Sequence, residues 1–423
     1  MRLNRANSIF WLVWLCALVW CYVHAYDDPS SIFYSPRRAF YRVYSAVREA
    51  EAATFFDRLA TNNGAPHGTI STSDREGELL CIGIPSVNRT HSTPLLHSLG
   101  TLSDFLTKEE RDSIYIVVLL ADKNPRAHFA YGVPWLSQLA DEVLVYDGRD
   151  DTKDIPKRPE PDNAYRVIPY NLHRHHRGWT RAETTHLDHS VLIETCRQRG
   201  SPYFALIQDD VVASRDWFQR LGAGIVDVEE RTEDSDQDWF YIRLFYSELL
   251  MGWNGEEFPG YFRRIAVVYA VLIAVFLAAW RLRHRPRWHK KLHVGPPTAQ
   301  NFGYMAALVL GLWTPAVIVL VFLTGRVTLH RMTTAPCVRE MPQYGCCAQG
   351  LVFPNRHLEG LQDLLREPPY RFPADMVIDG YGDERGLTKW ALDPSVLQHV
   401  GIDDSSDRGK RVEVWNFSFE RQR

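Results

Sequence analysis

The sequence predicts an α/β fold on a mostly parallel β-sheet, interrupted in the chain by a transmembrane helical hairpin and preceded by an N-terminal transmembrane anchor. Three observations carry that expectation. From residue 79 onward, short apolar runs of strand length alternate with helical segments, as in a parallel sheet covered on both faces. Three longer apolar stretches, residues 9–26, 265–280 and 302–324, break an otherwise soluble composition. Beyond them, residues 325–423 pattern as one short strand, one helix and a mixed tail, too little to bury a core alone.

The apolar stretches set the topology. A hydrocarbon core of ~30 Å needs roughly 20 helical residues. The third stretch meets this, and its Pro315 is tolerable within a span. The second has 16 residues between Arg264 and Arg281. It crosses if those arginines snorkel and Tyr261 and Phe262 extend it; the alternative is a buried core helix. The joining segment holds Arg281, Arg283, Arg285, Arg287, Lys290 and Lys291 with no acid among them, which makes it cytosolic. Arg2 and Arg5 precede the first stretch and Asp27 and Asp28 follow it, so the N-terminus is cytosolic too. Residues 27–264 and 325–423 then share the lumenal side of a secretory membrane. Val23-His24-Ala25 resembles a signal-peptide cleavage site, but the length and Trp11, Trp14 and Trp20 favour a retained anchor.

The expected organisation is a tail and anchor over 1–26 and a stem and linker over 27–77. A first lumenal part over 78–264 follows, then the hairpin over 265–324 with its basic loop 281–301, and a second lumenal part over 325–423. A formal net charge of −3 leaves no footprint for nucleic acid, and 13 Trp exclude a disordered chain. Cys81, Cys196, Cys337, Cys346 and Cys347 lie where disulfides form, with a local bridge from Cys337 to Cys346 or Cys347 expected. Asn88-Arg89-Thr90 and Asn416-Phe417-Ser418 are glycosylation sequons on the same side.

Within the soluble part, a charged helix is expected over 36–59, with Ser35 as N-cap and Pro36 at its first position. Residues 62–76 read as a linker. Strands follow at 79–87, 114–121, 142–146 and 203–207, with helices at 94–105, 133–140 and 181–199 between them. After the hairpin come a strand at 350–353 and a helix at 357–366, which complete the sheet begun before it. Ligands of such sheets bind outside the carboxyl ends of the strands. Asn88-Arg89, Asp122 and Asp209-Asp210 all fall there.

Asp209-Asp210 is the central chemical feature. An acidic pair at a strand terminus suits a divalent cation that neutralises a departing diphosphate. The plain alternative is a cap for a helix beginning near Ser214. His173-Arg174-His175-His176-Arg177 lacks zinc-site spacing and reads as a basic or solvated loop. Gly380-Tyr381-Gly382 has its next glycine, Gly386, one place too far for a dinucleotide loop. Residues 239–253 are aromatic-rich and serve as core or as an acceptor groove.

The run Leu192–Ser214, LIETCRQRGSPYFALIQDDVVAS, resembles the metal-motif region of GT-A glycosyltransferases, as do residues 83–89 and 393–401. The similarity covers about residues 79–250 and 346–406. It is closest to the N-acetylglucosaminyltransferase IV group and to the GPI-glycan N-acetylgalactosamine transferase of the post-GPI-attachment family. The hairpin inserted behind an N-terminal span matches the second.

That resemblance implies a GT-A, Rossmann-type sheet in a multi-pass Golgi protein. It further implies inverting transfer from UDP-GalNAc to a GPI mannose, assisted by a divalent metal such as Mn2+. The acceptor is then a GPI-anchored protein or glycolipid at a lipid bilayer. Gln208 stands where the relatives usually carry Glu. The same resemblance assigns Asp210 to the metal and Asp209 to ribose or metal. Pro85, Ser86, Val87, Arg89 and Asp122 go to uridine with Asp188 nearby, Ala348 and Gln349 to the donor sugar, and His399 to metal or diphosphate. An inverting transfer needs a carboxylate base beside the acceptor hydroxyl. Asp375 matches best, with Asp379 and Glu384 as rivals. An N-glycan or other lipid-glycan transferase using UDP-GlcNAc or UDP-Gal, and a non-catalytic scaffold, are the other readings.

Overall fold

The structure, a computed structural model, describes residues 2–61, 77–89, 93–147, 165–169, 181–235, 237–283, 299–333, 337–341, 347–401 and 414–422. The 62–76 linker, the His173–Arg177 cluster, Cys346 and most of the basic loop lie outside the described residues. Residues 1–41 with 251–335 form one compact unit, and 42–250 with 336–423 form another.

In the first unit, three helices among the described residues are long and apolar enough to cross a membrane: Asn4–His24, Gly255–Leu282 and Phe302–Thr324. The second is longer than the sequence suggested. Its helix runs Phe258–Arg283, 26 residues or about 39 Å at ~1.5 Å per residue, so Arg263 and Arg264 lie within it rather than ahead of it. Its apolar side chains are exposed, as lipid-facing ones are, which removes the core-helix alternative. Phe276 and Trp280 pack on Phe302, while Trp253 and Tyr261 pack on Phe322, the contacts of an antiparallel hairpin. The third span takes a π-helical turn at Val309–Trp313, directly before Pro315. Proline lacks an N–H and crowds the carbonyl four residues back, and the wider turn relieves both.

The N-terminal helix is built into this bundle. Trp14 Nε1 donates to Ala316 O at 2.9 Å and Trp313 Nε1 to Asn7 Oδ1 at 3.0 Å. Phe10 stacks on Trp313 with centroids 4.9 Å apart. Asp28 accepts from the Thr328 N–H at 2.6 Å, and Arg331 pairs with Asp27. Removal of residues 1–25 would strip Asn7, Phe10 and Trp14 from the third span, so the packing fits a retained anchor.

The second unit is the α/β domain. Its strands are β1 (Leu80–Ser86), β2 (Ile114–Leu120), β3 (Glu142–Tyr146), β4 (Arg166–Ile168), β5 (Tyr203–Ile207), β6 (Val211–Ala213) and β7 (Trp239–Arg243), then β8 (Cys337–Glu340), β9 (Gly350–Pro354), β10 (Thr388–Asp393) and β11 (Leu397–His399). A nine-stranded sheet has the order β4-β3-β2-β1-β5-β9-β7-β10-β8, and β6 pairs with β11 apart from it. The run β4 to β5 is parallel, as is β7 with β10, while β9 is antiparallel to both β5 and β7. The strand supplied after the insertion therefore lies between two supplied before it. Its register runs from Tyr203↔Pro354 to Ile207↔Gly350.

The Arg181–Arg199 helix packs closely on β1. A side chain at Gly83 would meet Phe204 at 2.9 Å and Leu192 at 3.0 Å, so only glycine permits this approach. A Cys81–Cys196 disulfide, which the sequence reading did not pair, fastens the same helix to the same strand. Cys347 is also disulfide-bonded.

Three expectations change. The helix expected over 36–59 is two helices, Pro36–Ala39 and Tyr44–Thr61, and the Ser35 side chain caps neither. The second begins where the Glu420 carboxylate accepts the Val43 and Ser45 N–H groups at 2.7 and 3.1 Å, a cap supplied from the far end of the chain. It is also no free-standing stem, because Arg48 is fully buried and donates to Ala213 O and Thr101 O. The aromatic run from Trp239 is core rather than groove, since all of β7 is buried.

Asn416 is 2% exposed, and its Nδ2 donates to Tyr246 O and Ser395 Oγ, both at 2.9 Å. The folded protein cannot carry a glycan on that nitrogen. Asn416→Gln is expected to leave the endoglycosidase-sensitive mass of the secretory-pathway protein unchanged; loss of one glycan increment would contradict this burial. Asn416→Ala should lower stability by ~1–3 kcal/mol in chemical denaturation, because it orphans buried partners.

Candidate active site

A cleft of about 650 Å³ opens at the carboxyl ends of β1 and β5 and at the start of β9. Of the residues expected to bind donor or metal, Pro85, Val87, Arg89, Asp188, Asp209, Asp210, Ala348, Gln349 and His399 line it. Asp375 lines it too. Ser86 and Asp122 are not among its lining residues, though Ser86 is hydrogen-bonded to Asp209, which is.

Asp209 is buried and fully engaged. Its Oδ2 accepts from Ser86 Oγ at 2.7 Å, and its Oδ1 from Arg89 Nη2 at 2.6 Å. Ser86 Oγ in turn is 3.1 Å from His128 Nε2. Burial pushes the Asp209 carboxyl above its ordinary value, with Arg89 opposing and Asp210 adding to the shift. Ser98 Oγ donates to Asp209 O or Val211 O, at 2.7 and 2.6 Å, pinning the backbone on either side of Asp210.

Asp210 differs. Burial opposes its ionisation, but His399 and Arg89 outweigh that and hold its carboxyl below the usual range. Its Oδ2 lies 3.2 Å from Arg89 Nη2 and 3.4 Å from His399 Nε2. Its Oδ1 is buried without a hydrogen-bond partner among the described residues. The β6–β11 pairing, His399↔Val211, sets this imidazole beside the acid. A Cβ at Gly401 would fall 2.5 Å from Asp210 Oδ2, so the turn after His399 closes on the carboxylate only because it is glycine. Among the described residues no group of three or more His, Cys, Asp or Glu side chains stands ready to hold a cation. The available donors are the free Asp210 oxygen and the His399 ring. Gln208 lines the cleft and supplies no charge there.

Asp122 Oδ2 accepts from the Asn88 N–H at 2.9 Å, and burial lifts its carboxyl to about 6. Asp188 accepts from Tyr146 OH at 2.5 Å. Burial lifts it to about 7 against that bond, with Asp122 adding to the shift. Thr185 and His189 line the cleft beside Asp188 on the Arg181–Arg199 helix.

The three candidate bases separate by placement. Asp379 is committed: Arg243 Nη2 donates to both its oxygens at 2.8 and 3.0 Å, and Tyr241 OH donates at 2.5 Å. Glu384 is exposed at the end of the Ala374–Glu384 helix and does not line the cleft. Asp375 does, in the first turn of that helix, just after a segment whose Phe372 O accepts from His186 Nε2 at 2.9 Å. Arg243 Nη1 also donates to Cys347 O, at the lip from which Ala348 and Gln349 enter β9.

Sequence reasoning missed Ser98, His128, Thr185, His189 and Arg243. Thr185, Asp188 and His189 repeat at helical spacing, a signal that marks one face but not what it faces. Nothing local marked Arg243, whose carboxylate and carbonyl partners, Asp379 and Cys347, are distant in sequence.

The model of a family described as GPI-N-acetylgalactosamine transferase PGAP4 matches residues 80–398, well over half of the chain. The chain belongs to that family, and is a glycosyltransferase. No curated protein matches it.

Asp188 yields a pH test. It keeps its proton to about pH 7 when folded and releases it near 3.8 when unfolded. The folded state therefore binds the extra proton across that window, and this contribution to stability is lost as pH rises through it. Asp188→Asn removes the contribution. The variant should gain stability relative to its parent steadily from about pH 4 to 7 and level off above. Denaturation midpoints that keep a constant difference across the window would refute the assignment.

Proposed function

We propose that this member of the GPI-N-acetylgalactosamine transferase family transfers N-acetylgalactosamine from UDP-GalNAc, with inversion, to a mannose of a GPI glycan. Its α/β unit works on the lumenal side of a Golgi membrane, on an acceptor carried by the same bilayer. The observation that carries this reading is one cleft gathering the strand-end acid pair, a basic partner and Asp375, which lines it where Asp379 and Glu384 do not. Its volume, about 650 Å³, is in the ~300–1,000 Å³ range of ligand sites.

In this mechanism Pro85, Val87 and the Asp122–Asp188 wall receive the uridine. Asp209 holds Arg89 rather than a metal, since both its oxygens are taken, and Arg89 turns its charge to the diphosphate. The residues fit a divalent ion in one respect: Asp210 Oδ1 is an orphaned, ionised donor beside His399. Those two would hold the metal. When bound, such an ion supplies Lewis-acid neutralisation of the leaving diphosphate. Ala348 and Gln349 face the donor sugar. Asp375 accepts the proton of the acceptor hydroxyl as its oxygen bonds to the anomeric carbon. The bond from that carbon to the diphosphate breaks, and UDP departs.

Two measurements test this. Asp375→Asn should lower kcat by ~10²–10⁴ while the KM for UDP-GalNAc stays within about threefold. Equal losses in kcat and donor affinity would instead make Asp375 a binding residue. Mass spectrometry of GPI anchors from cells lacking the protein should show the hexosamine side branch missing. An unchanged anchor would remove the acceptor assignment, and activity with UDP-GlcNAc or UDP-Gal alone would replace the donor.

A further inference from the structure

Among the described residues, four side chains of the cleft keep a buried polar atom without a hydrogen-bond partner, Arg89, Asp210, His189 and Gln349, and the last two of these are uncharged. His189 is 4% exposed and lines the cleft, and its ring makes no hydrogen bond among the described residues. Gln349 is 5% exposed and also lines it. Its backbone oxygen accepts from the Gln208 N–H, but its side-chain oxygen is buried without a partner among the described residues. Asp209 is bonded to Ser86 and Asp188 to Tyr146, while Arg89 meets the acid pair through Nη2 and, like Asp210, remains a charged group suited to the diphosphate or a cation. Native proteins rarely leave buried polar atoms unpaired, because each forfeits its water without recompense. In a ligand cleft the ligand is the natural partner.

The chemistry of the two groups narrows what that partner is. Burial, with His186 nearby, holds His189 down at about 3, so it stays neutral and serves neither as phosphate-binding cation nor as proton carrier. A neutral imidazole offers one donor and one acceptor, and a carboxamide offers both as well. Such a pair suits an uncharged ligand group that itself both donates and accepts. Position narrows it again. His189 adjoins Asp188 on the nucleotide wall, and Gln349 enters β9 next to Ala348. We propose that His189 and Gln349 form the subsite that reads the 2-acetamido group of the donor sugar. This rests on the reading of the cleft as a UDP-hexosamine site. It goes further by naming the residues that exclude the plain hexose.

A site built to hydrogen-bond a substrate group rejects the analogue lacking it by as much as ~10⁴–10⁵, since its own polar atoms are then left unpaired. The experiment compares kcat/KM for UDP-GalNAc and UDP-Gal in the full-length protein, with His189→Leu, Gln349→Leu and the conservative His189→Gln. UDP affinity serves as the folding control. In each leucine variant the preference for UDP-GalNAc is expected to fall at least tenfold, with UDP affinity within about threefold of the parent. His189→Gln should recover most of the preference. If both donors lose equally, or the preference is unmoved, the subsite assignment is overturned while the donor reading stands. If the parent itself shows no preference for an acetamido sugar, the donor reading falls and this inference with it.

Discussion

The structure hangs on the antiparallel pairing of β9 between β5 and β7. Both neighbours precede the membrane insertion and β9 follows it, so no complete sheet exists until the chain has left and returned. Two spans between the halves return the chain to the side from which it departed, whereas one or three would forbid the pairing. The charge-based topology and the sheet therefore constrain each other. β9 is central and buried throughout, and a one-residue slip would turn its inward side chains to the opposite face. The pairing also delivers chemistry, because Gly350 opposite Ile207 brings Ala348 and Gln349 level with Gln208-Asp209-Asp210.

That edge of the sheet concentrates charge, and its balance explains why the two adjacent acids behave differently. One guanidinium serves both carboxylates, closest to Asp209, which also takes the Ser86 hydroxyl. Asp210 keeps one oxygen unspent and gains an imidazole. A buried charge is tolerable only when paired or given to a ligand, and this asymmetry is what supports Asp210, rather than Asp209, as the proposed metal ligand. Gln208 adds polarity to this edge without adding a third negative charge to be balanced.

Much of this was legible in the sequence because it is encoded locally. Fully apolar strands such as Ile114–Leu120 and Tyr203–Ile207 announce a sheet buried on both faces, and their polar ends announce the cleft. What escaped was encoded between distant residues. Glu420 caps a helix more than 370 positions away, and so breaks what periodicity read as one continuous segment. Cys196 finds Cys81 only because Gly83 lets the helix descend onto β1. The aromatic run from Trp239 has the composition of a sugar platform, yet its strand is enclosed on both sides. Composition sets what a segment can bind, and neighbours set whether anything reaches it.

The choice of base follows from the same distinction. Asp375 and Asp379 are one turn apart on one helix, and by residue type either could take a proton. Arg243 decides between them. Nearly sealed from solvent, it spends two contacts on Asp379 and a third on Cys347 O, so one guanidinium ties the helix carrying Asp375 to the lip from which Gln349 enters the sheet. A buried ion pair of this kind adds little net stability over an apolar pair, because desolvation consumes most of the attraction. What it adds is geometry. In the proposed mechanism it fixes the acceptor-side carboxylate relative to the donor-side strand, and transfer between two bound substrates depends on that distance more than on the strength of either contact.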